Sequence, residues 1–540
     1  MAVAQAQTPV APENSFEAMT WRPSHNPWAV ALTVTLATFM EVLDTSIANV
    51  ALPHIAGGLS AGQDESTWIL TSYLVSNAII LPISAWLATR MGRKRFYMTC
   101  VALFTASSFL CGLAPSLGML IFFRIMQGAG GGGLAPSEQA ILADTFPPAK
   151  RGIAFAVYGM AVVVAPAIGP TLGGWITDNY TWRWIFYINI PVGILSLWLT
   201  HRMVEDPPYL EVEREKSRGF KIDYVGLGLV ALGVGCLQVV LDKGQESDWL
   251  SSPWIATFFT IAVTALVVWI FWEWFHPNPI VDLHLFKSRN FAAAMTITFV
   301  LGTVLFGTTV LIPQFLQTLL GYSAVQAGEA LAGGGFAMLL MMPIAGILVS
   351  RVDPRGMMCA GFASTALALV YMSRHMTLGI DFETAALLRT LQTLGLAFIF
   401  IPSNTLAYVG IAQEKNNQVS SMNAFVRNVG GSIGIATIFT FVVRQSQKHQ
   451  TFLVEHASAA NPQFRAMIAG MSHAITMHGV DAVESTHRAY ALLYREILAQ
   501  ASTLGYVDVV SVLALIVAAL TPLPFIMKKG LPGTGGGGMH

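Results

Sequence analysis

Two acidic side chains lie inside a stretch of sequence that is apolar and long enough to cross a membrane. Glu41 and Asp44 fall within residues 28–50 and are spaced i and i+3, so a helix points both carboxylates to nearly the same side. An ionisable group at that depth is costly, and it usually marks the path of an ion or a proton. We therefore interpret Asp44 as the proton-coupling residue. Glu41 is a second proton site, an anchor for cationic substrates, or a residue that faces a wet cavity.

A basic residue on another apolar stretch lies at a matching depth. Arg124 is about seven residues from the outer end of its span and Asp44 about six from the outer end of its own, so both lie roughly 10 Å deep. An arginine keeps its proton and favours the charged form of an acid beside it. Making and breaking this contact would switch the proton affinity of Asp44. The alternative is a static structural ion pair between two helices.

The chain repeats this architecture once without repeating the acid. The segment from Asp44 to Pro53 aligns with residues 304–313 at an offset of 260, which places Val304 opposite Asp44. Residues 82–94 align with 343–355 at an offset of 261, and the segment that begins at Arg124 aligns with the one that begins at Arg389 at 265. Two related six-helix bundles follow, of which one carries the coupling group. Paired halves of this kind bracket a central site and rock about it.

Composition places the chain in the membrane. Of 540 residues, 54% are hydrophobic and 11% are charged, whereas about a quarter of the residues in a soluble domain are charged. The net charge is zero, which gives no indication of a nucleic-acid partner. The four cysteines are irregularly spaced in apolar stretches, so we expect neither a disulfide framework nor a metal site. No cofactor is expected, and the energy source is a proton gradient.

Fourteen spans are long enough to cross the hydrocarbon layer, and we predict an all-α membrane protein. The even count puts both termini on one side. Short loops on that side hold eighteen lysines and arginines against three on the other, so the termini are predicted to be cytoplasmic. The predicted spans are 28–50, 66–89, 95–113, 117–141, 152–176, 183–203, 222–241, 254–275, 291–316, 325–350, 356–374, 383–408, 418–443 and 505–527.

These spans define the domains. A cytoplasmic tail (1–27) precedes the first bundle (28–203), a linker with two inserted helices (204–290) leads to the second bundle (291–528), and a Gly-rich cytoplasmic tail (529–540) ends the chain. Residues 444–504 form a polar outer loop with helix-like spacing near 463–478 and 486–503. This loop is either a small helical cap or a docking surface for a periplasmic partner.

Further polar and small residues inside the spans are candidates for the cavity and for gating. Small residues let helices approach closely and prolines bend them, so the fifth span could simply pack or could bend and seal the bundle interface. Its residues are Gly159, Pro166, Gly169, Pro170, Gly173 and Gly174. Candidates for the substrate cavity are Glu41, Gln127, Gln314, Asn404 and Asn423.

Three segments resemble motifs of the 14-helix drug:proton antiporters of the major facilitator superfamily. They are Leu43-Asp-Thr-Ser-Ile-Ala-Asn-Val-Ala-Leu-Pro53 in the first helix, Arg124-Ile-Met-Gln-Gly128 in the fourth and Gly169-Pro-Thr-Leu-Gly-Gly174 in the fifth. The resemblance covers nearly the whole chain and looks closest to the EmrB-type members. It implies the major facilitator fold and an inner-membrane pump that works with a periplasmic adaptor and a TolC-type outer-membrane channel.

The loop after the second helix departs from that family's pattern. It has Ala85 and Thr89 where the family has glycine and aspartate, but it keeps Arg90, Gly92 and Arg93, the candidates for a conformational latch.

We hypothesise a proton-driven exporter of hydrophobic, structurally varied compounds, in which substrate and proton compete for one half-site of the protein. Two alternatives stay open. One is a proton-coupled importer or a dedicated metabolite exporter of the same fold, because fold does not fix function. The other is a membrane receptor that binds a ligand without transport. An enzyme is not expected, because the sequence contains no recognisable nucleophile–base pair or metal cluster.

Overall fold

The computed structural model describes residues 21, 23–218, 223–458 and 460–528, and these fold into a bundle of helices. Residues 1–20 of the predicted N-terminal tail and the Gly-rich tail 529–540 lie outside the described residues. In chain order the helices are α1 (Pro27–Gly58), α2 (Trp68–Met91), α3 (Arg93–Leu113), α4 (Leu117–Gly131), α5 (Leu134–Thr145), α6 (Pro148–Asn179), α7 (Asn189–Met203), α8 (Pro208–Arg218), α9 (Tyr224–Lys243), α10 (Pro253–Phe275), α11 (Arg289–Leu320), α12 (Ala324–Leu348), α13 (Pro354–His375), α14 (Phe382–Ala407), α15 (Asn416–His456), α16 (Pro462–Thr476) and α17 (Ala482–Ala519).

Thirteen helices of the described residues are long and apolar enough to cross a membrane, one fewer than the predicted fourteen spans. The difference lies in the fourth span, which the structure divides into α4 and α5 at Gly132 and Gly133. A glycine run favours such a break, because glycine loses more backbone freedom in a helix than any other residue. Together α4 and α5 still occupy the place of one crossing.

The two faces of the bundle can be told apart by the chain ends. We call the face that holds the start of α1 and the segment after α17 the terminal face, and the other the distal face. Helices α1–α7 form the first half and α11–α17 the second. The halves meet where α6 packs against α12 and α14, and where α15 packs against α2 and α5.

Glycines set how closely the fourth span approaches its neighbours. A side chain at Gly128 or Gly132 would strike the backbone of α2, and one at Gly130 would strike the backbone of α3. Small residues at helix contacts allow this close approach inside a membrane. This close contact places α4, and with it Arg124, against α2.

The inserted helices α9 and α10 pack on each other, and α9 also packs against α2. At the distal end of α9, the Thr71 hydroxyl of α2 donates a hydrogen bond to Asp242. The two inserted helices therefore lie beside the first half, and α9 also contacts α15.

The predicted outer loop 444–504 is mostly a continuation of two membrane helices. Helix α15 runs for 41 residues, about 60 Å at 1.5 Å per residue, which is roughly twice the hydrocarbon thickness. Helix α17 begins at Ala482 and runs straight into the last span. Helix α16 packs on α17 through Phe464, Ile468 and Leu493. We call residues 444–504 the distal hairpin.

The close contact between α6 and α12 yields a first prediction. A Cβ on Gly346 would lie 2.8 Å from the Ile153 Cα and 2.9 Å from the Gly152 carbonyl oxygen, which are backbone atoms that cannot rotate away. We expect Gly346→Ala to force the two helices apart and to cost about 1–3 kcal/mol of stability. Thermal unfolding of the purified protein would show a lower midpoint.

Gly356 of α13 is the matched control, because a Cβ there meets nothing within 4 Å. Gly356→Ala should leave the midpoint unchanged or raise it slightly. Equal midpoints for wild type and Gly346→Ala would contradict the close contact.

Candidate functional site

The central feature of the first half is a buried ion pair between α1 and α4. The Arg124 Nη1 atom donates to Asp44 Oδ2 at 2.6 Å, and the two residues are 0% and 2% exposed. The sequence placed both groups at one depth, and the structure brings them into direct contact. Removing one partner of such a pair would leave an uncompensated buried charge, which costs about 3–5 kcal/mol.

The second oxygen of Asp44 is held by two side-chain amides. Gln127 Nε2 donates to Asp44 Oδ1 at 3.0 Å, and Asn189 Nδ2 donates to the same atom at 2.6 Å. Asn189 also donates to the Ser108 hydroxyl at 3.0 Å. Gln127, which was predicted to line the substrate cavity, is fully buried in this state and contacts the ion pair.

Asn189 and Ser108 were missed by the sequence reasoning. Asn189 is a buried polar residue within an apolar membrane segment, and such residues often mark functional positions. The same rule that identified Asp44 would have found it. Helices α3 and α7 therefore join α1 and α4 in fixing the carboxylate.

The rest of the Arg124 side chain is fixed by α2. Its Nε donates to the Ile69 carbonyl at 3.2 Å, and its guanidinium lies over the Tyr73 ring at 4.3 Å. A cation over an aromatic face is attracted by the ring quadrupole. The arginine is thus held by hydrogen bonds and an aromatic face, and its motion would disturb α1, α2 and α4 together.

Glu41 has partners of a different kind. Its Oε1 accepts from Asn77 Nδ2 at 2.9 Å and from the Tyr73 hydroxyl at 3.3 Å, all of them neutral groups. Tyr73 therefore lies between the two acids, since its ring contacts Arg124 and its hydroxyl contacts Glu41. The close i, i+3 carboxylates occupy two distinct environments, one paired with a cation and one with neutral donors.

A third acid continues the polar face of α1 towards the terminal side. Glu138 of α5 is 0% exposed, and its Oε1 accepts from the Thr35 hydroxyl at 2.6 Å. The Thr38 hydroxyl lies close to the same carboxylate. Thr35, Thr38, Glu41 and Asp44 recur every third residue, so neighbouring members of the series lie about 60° apart and the polar row winds around α1.

The second half carries a copy of the site without the acid. Arg389 Nη1 donates to Gln392 Oε1 at 2.6 Å, as Arg124 donates to Gln127, and to the Thr308 hydroxyl at 2.8 Å. By these contacts the counterpart of Asp44 is Thr308, at an offset of 264. The proline-based alignment with Val304 was wrong by one helical turn.

The terminal face is closed by contacts around Arg93. Its Nε donates to Asn417 Oδ1 of the second half at 2.8 Å, its Nη2 donates to the Tyr209 hydroxyl at 3.1 Å, and it forms an ion pair with Asp144. The turn before it needs Gly92, whose φ is +91°. Arg90 lies over the Trp86 ring, 5.6 Å from its centroid.

Amide side chains join the halves deeper in the bundle. Asn423 Nδ2 donates to Gln139 Oε1 of the first half at 2.8 Å and also contacts Asn404. Both asparagines are at most 1% exposed, so in this state they form a closed contact and not an open cavity wall. Gln314 lies apart from them and is half-buried.

The small residues of the fifth span face two ways. Gly169 and Gly173 pack against Ser46 and Ile47 of α1, and the Ser46 hydroxyl donates to the Pro166 carbonyl at 3.3 Å. On the opposite side of α6, the residues that approach the second half are Gly159 (near Met342 and Phe400), Pro170 (near Gly328) and Gly174 (near Val325). Helix α6 therefore links the Asp44 helix with the second half.

The chain is similar to known proteins over most of its length. The family model described as Major Facilitator Superfamily matches residues 34–435. The multidrug export protein EmrB of Escherichia coli strain K12 is 40% identical over 438 residues, which cover 81% of this chain and 84% of that protein. The fatty acid resistance protein FarB of Neisseria gonorrhoeae is 36% identical over 511 residues, covering 94% and 97%. These similarities extend over the membrane helices of both halves.

Solved structures agree on the fold. The proton:xylose symporter XylE, a major facilitator superfamily protein, superposes with a TM-score of 0.58 and covers 94% of this chain and 97% of its own. At 14% identity this likeness concerns the fold alone.

The contact between Asn189 and Asp44 yields the second prediction. Asn189→Leu removes a hydrogen bond to the charged carboxylate, which is worth about 1.5–3 kcal/mol, and leaves part of a buried charge unsatisfied. We therefore expect a lower free energy of unfolding. Thermal unfolding of the purified protein would show a midpoint below that of the wild type.

Asn179→Leu is the matched control, because Asn179 is exposed at the end of α6. It should leave the midpoint unchanged. A wild-type midpoint in Asn189→Leu would mean that the amide does not stabilise the carboxylate.

Proposed function

Because the chain belongs to the major facilitator superfamily, within its EmrB-type transporters, we propose that it is a multidrug exporter driven by protons. It exports hydrophobic compounds across the membrane by alternating access. The observation that carries this proposal is the buried Asp44–Arg124 pair, found in one half while the second half has Thr308 at the matching position. A single acid in a duplicated scaffold gives one half the task of coupling.

Charge compensation supports a role of Asp44 in proton exchange. In this state Asp44 accepts hydrogen bonds from Arg124, Gln127 and Asn189, so the charge of Arg124 is compensated within the protein. When a proton arrives, the acid becomes neutral and Arg124 loses its counter-charge. That loss makes the present packing unfavourable and favours a rearrangement of α1 against α4.

Glu41 and Glu138 extend the proposed proton route towards the terminal face. Glu41 lies one turn from Asp44 on α1, and Glu138 of α5 contacts Thr35 nearer the terminal end of α1; each accepts a hydrogen bond from a hydroxyl group that can relay a proton. The closed contacts around Arg93 and Asn423 would have to open for a proton or a substrate to pass to that face. We propose that Arg93 and Gly92 serve as this gate.

Replacing the proposed coupling acid yields the third prediction. Adding ethidium, a hydrophobic cation, to the purified wild-type protein in weak buffer should release protons. Asp44→Asn should abolish this release, because the amide cannot ionise, and should abolish proton-driven ethidium transport in proteoliposomes. Asp178→Asn, at an exposed site on the distal face, should behave as wild type.

Equal proton release from wild type and Asp44→Asn would move the coupling group away from Asp44. Transport by Asp44→Asn against a gradient would overturn the mechanism. Release without any transport by wild type would favour a receptor.

We further propose that the protein resides in the bacterial inner membrane with its terminal face in the cytoplasm, and that the distal hairpin docks a periplasmic adaptor of a TolC-type system. The excess of basic residues in the terminal-face loops supports this orientation. The hairpin extends well beyond the length needed to cross the bilayer, yet it exposes apolar side chains such as Phe452, Met477 and Tyr494. Exposed apolar groups in contact with water are typical of an interaction site.

The hairpin yields the fourth prediction. Phe452 is 60% exposed, so Phe452→Glu should leave folding and ethidium transport in proteoliposomes intact while lowering drug resistance in cells. Gln447→Glu adds a similar charge at an exposed polar position of the same helix and should preserve resistance. A membrane-impermeant thiol reagent should label a cysteine at Met477, and not one at Lys415, in intact spheroplasts.

Loss of transport in both assays would make the hairpin a structural cap. Full resistance of Phe452→Glu would argue against docking through that side chain. Labelling at Lys415 alone would reverse the orientation.

A further inference from the structure

A buried cation of the second half lies against the first half. Arg427 of α15 is 6% exposed, and its Nη2 atom donates to the Tyr158 hydroxyl of α6. Its guanidinium lies 5.4 Å from the centre of the Tyr158 ring and 5.9 Å from that of Phe400. In the part of the chain that the structure describes, Arg427 forms no ion pair and its Nη1 atom has no hydrogen-bond partner. A buried charge in such a position is costly unless an acid compensates it.

Two acids of the first half lie near this cation. The hydrogen bonds that Glu138 of α5 and Glu41 of α1 accept come from neutral hydroxyl and amide groups. Both acids interact electrostatically with Arg427. The acids and the cation therefore share one buried region, in which charges attract each other more strongly than they do in water.

Hydrogen bonds connect Arg427 to the helix that carries Glu138. The Gln139 Nε2 atom donates to the Tyr158 hydroxyl at 3.1 Å, and Gln139 directly follows Glu138 in the chain. The Gln139 Oε1 atom accepts from Asn423 of α15, one turn before Arg427. Helices α5 and α15 thus meet through neutral hydrogen bonds, and an ionised Glu138 would add an attraction to Arg427 across the same contact.

Ionisable groups face Glu138 from four neighbouring helices. They are Glu41 of α1, Tyr97 of α3, Tyr158 of α6 and Arg427 of α15. Arg427 is the one among these four that carries a positive charge. An ionised Glu138 would therefore be attracted to the second half, and a protonated Glu138 would not.

This contact lies nearer to the terminal face than the Asp44 site does. Glu138 is seven residues from the terminal end of α5 at Thr145, about 10 Å by helical rise. Asp44 is seventeen residues from the terminal end of α1 at Pro27, about 26 Å. A loss of attraction at Glu138 therefore acts on the terminal contact between the halves.

We propose that Arg427 is a positioning residue that responds to the protonation of Glu138 across the interface between the halves. While Glu138 is ionised, its attraction to Arg427 holds α5 against α15. When a proton that entered at Asp44 neutralises Glu138, this attraction is lost, the terminal side separates and the proton leaves there. The inference rests on the proposed export function and deepens it by assigning the step that couples protonation of the first half to movement of the second.

The fifth prediction concerns the distance between the halves at the terminal face. Spin labels would be attached through Arg95→Cys of α3 and Gly356→Cys of α13, both exposed on that face. The background would lack the four native cysteines and keep the wild-type unfolding midpoint. In alkaline buffer and nanodiscs, Glu138→Gln and Arg427→Gln should each raise the ratio of long to short distances about threefold or more, because each removes the charge attraction.

Further variants separate the charge interaction from folding. Glu138→Gln combined with Arg427→Gln should open the terminal face no more than either change alone, because both remove the same interaction. Arg427→Lys keeps the positive charge and should restore most of the short distances. Arg374→Gln, at an exposed position at the distal end of α13, should match wild type.

Wild-type distances in Glu138→Gln or in Arg427→Gln would overturn the inference. Additive opening by the two changes, or long distances in Arg427→Lys, would make Arg427 a structural residue only. Because the distances are measured without a proton gradient or a substrate, their result is independent of transport. Absence of proton-driven ethidium transport by wild type would contradict the proposed export function and leave the charge contact unaffected.

Discussion

A charge inside hydrocarbon must find its partner within the protein, and the first half is built around one such pair. Asp44 on α1 is held by Arg124 and Gln127 on α4 and by Asn189 on α7, and Ser108 on α3 supports the last of these. Four helices therefore converge on one carboxylate. Replacing any donor would leave part of a buried charge unsatisfied, so the packing of these helices depends on the ionised state of Asp44.

The second half keeps the scaffold and changes the charge. Arg389 and Gln392 repeat the geometry of Arg124 and Gln127, but a threonine hydroxyl replaces the carboxylate. The two halves therefore differ in charge. Arg124 is neutralised by Asp44, whereas the described hydrogen-bond partners of Arg389 are neutral. A proton that enters the first half makes it resemble the second, because Arg124 then also lacks a counter-charge.

Depth along a helix was predictable from the sequence, whereas contacts across helices were not. Counting residues at a fixed rise was enough to place Asp44 and Arg124 at one level. Asn189, which contacts Asp44, and Glu138, which contacts Thr35, come from helices whose rotation about their axes depends on packing. An apolar membrane span does not encode that rotation through periodicity. The same limit explains why Val304 was aligned with Asp44. Matching prolines aligns two segments of sequence, but it does not show which residue contacts Arg389. The hairpin helices near 463–478 and 486–503 were predicted by amphipathic spacing, because that part of the chain meets water.

Helix α6 connects the two chemical centres by direct contact. On one side Ser46, two residues from Asp44, donates to the Pro166 carbonyl, and Gly173 lies against Ile47. On the other side Pro166 lines a small pocket beside Arg389. A shift of α1 on protonation would press on α6 through contacts too close to absorb it, since small residues leave no flexible side chain between the backbones. The contact between α6 and the second half would then move with the protonation of Asp44, which gives proton binding in one half a physical route to the other half.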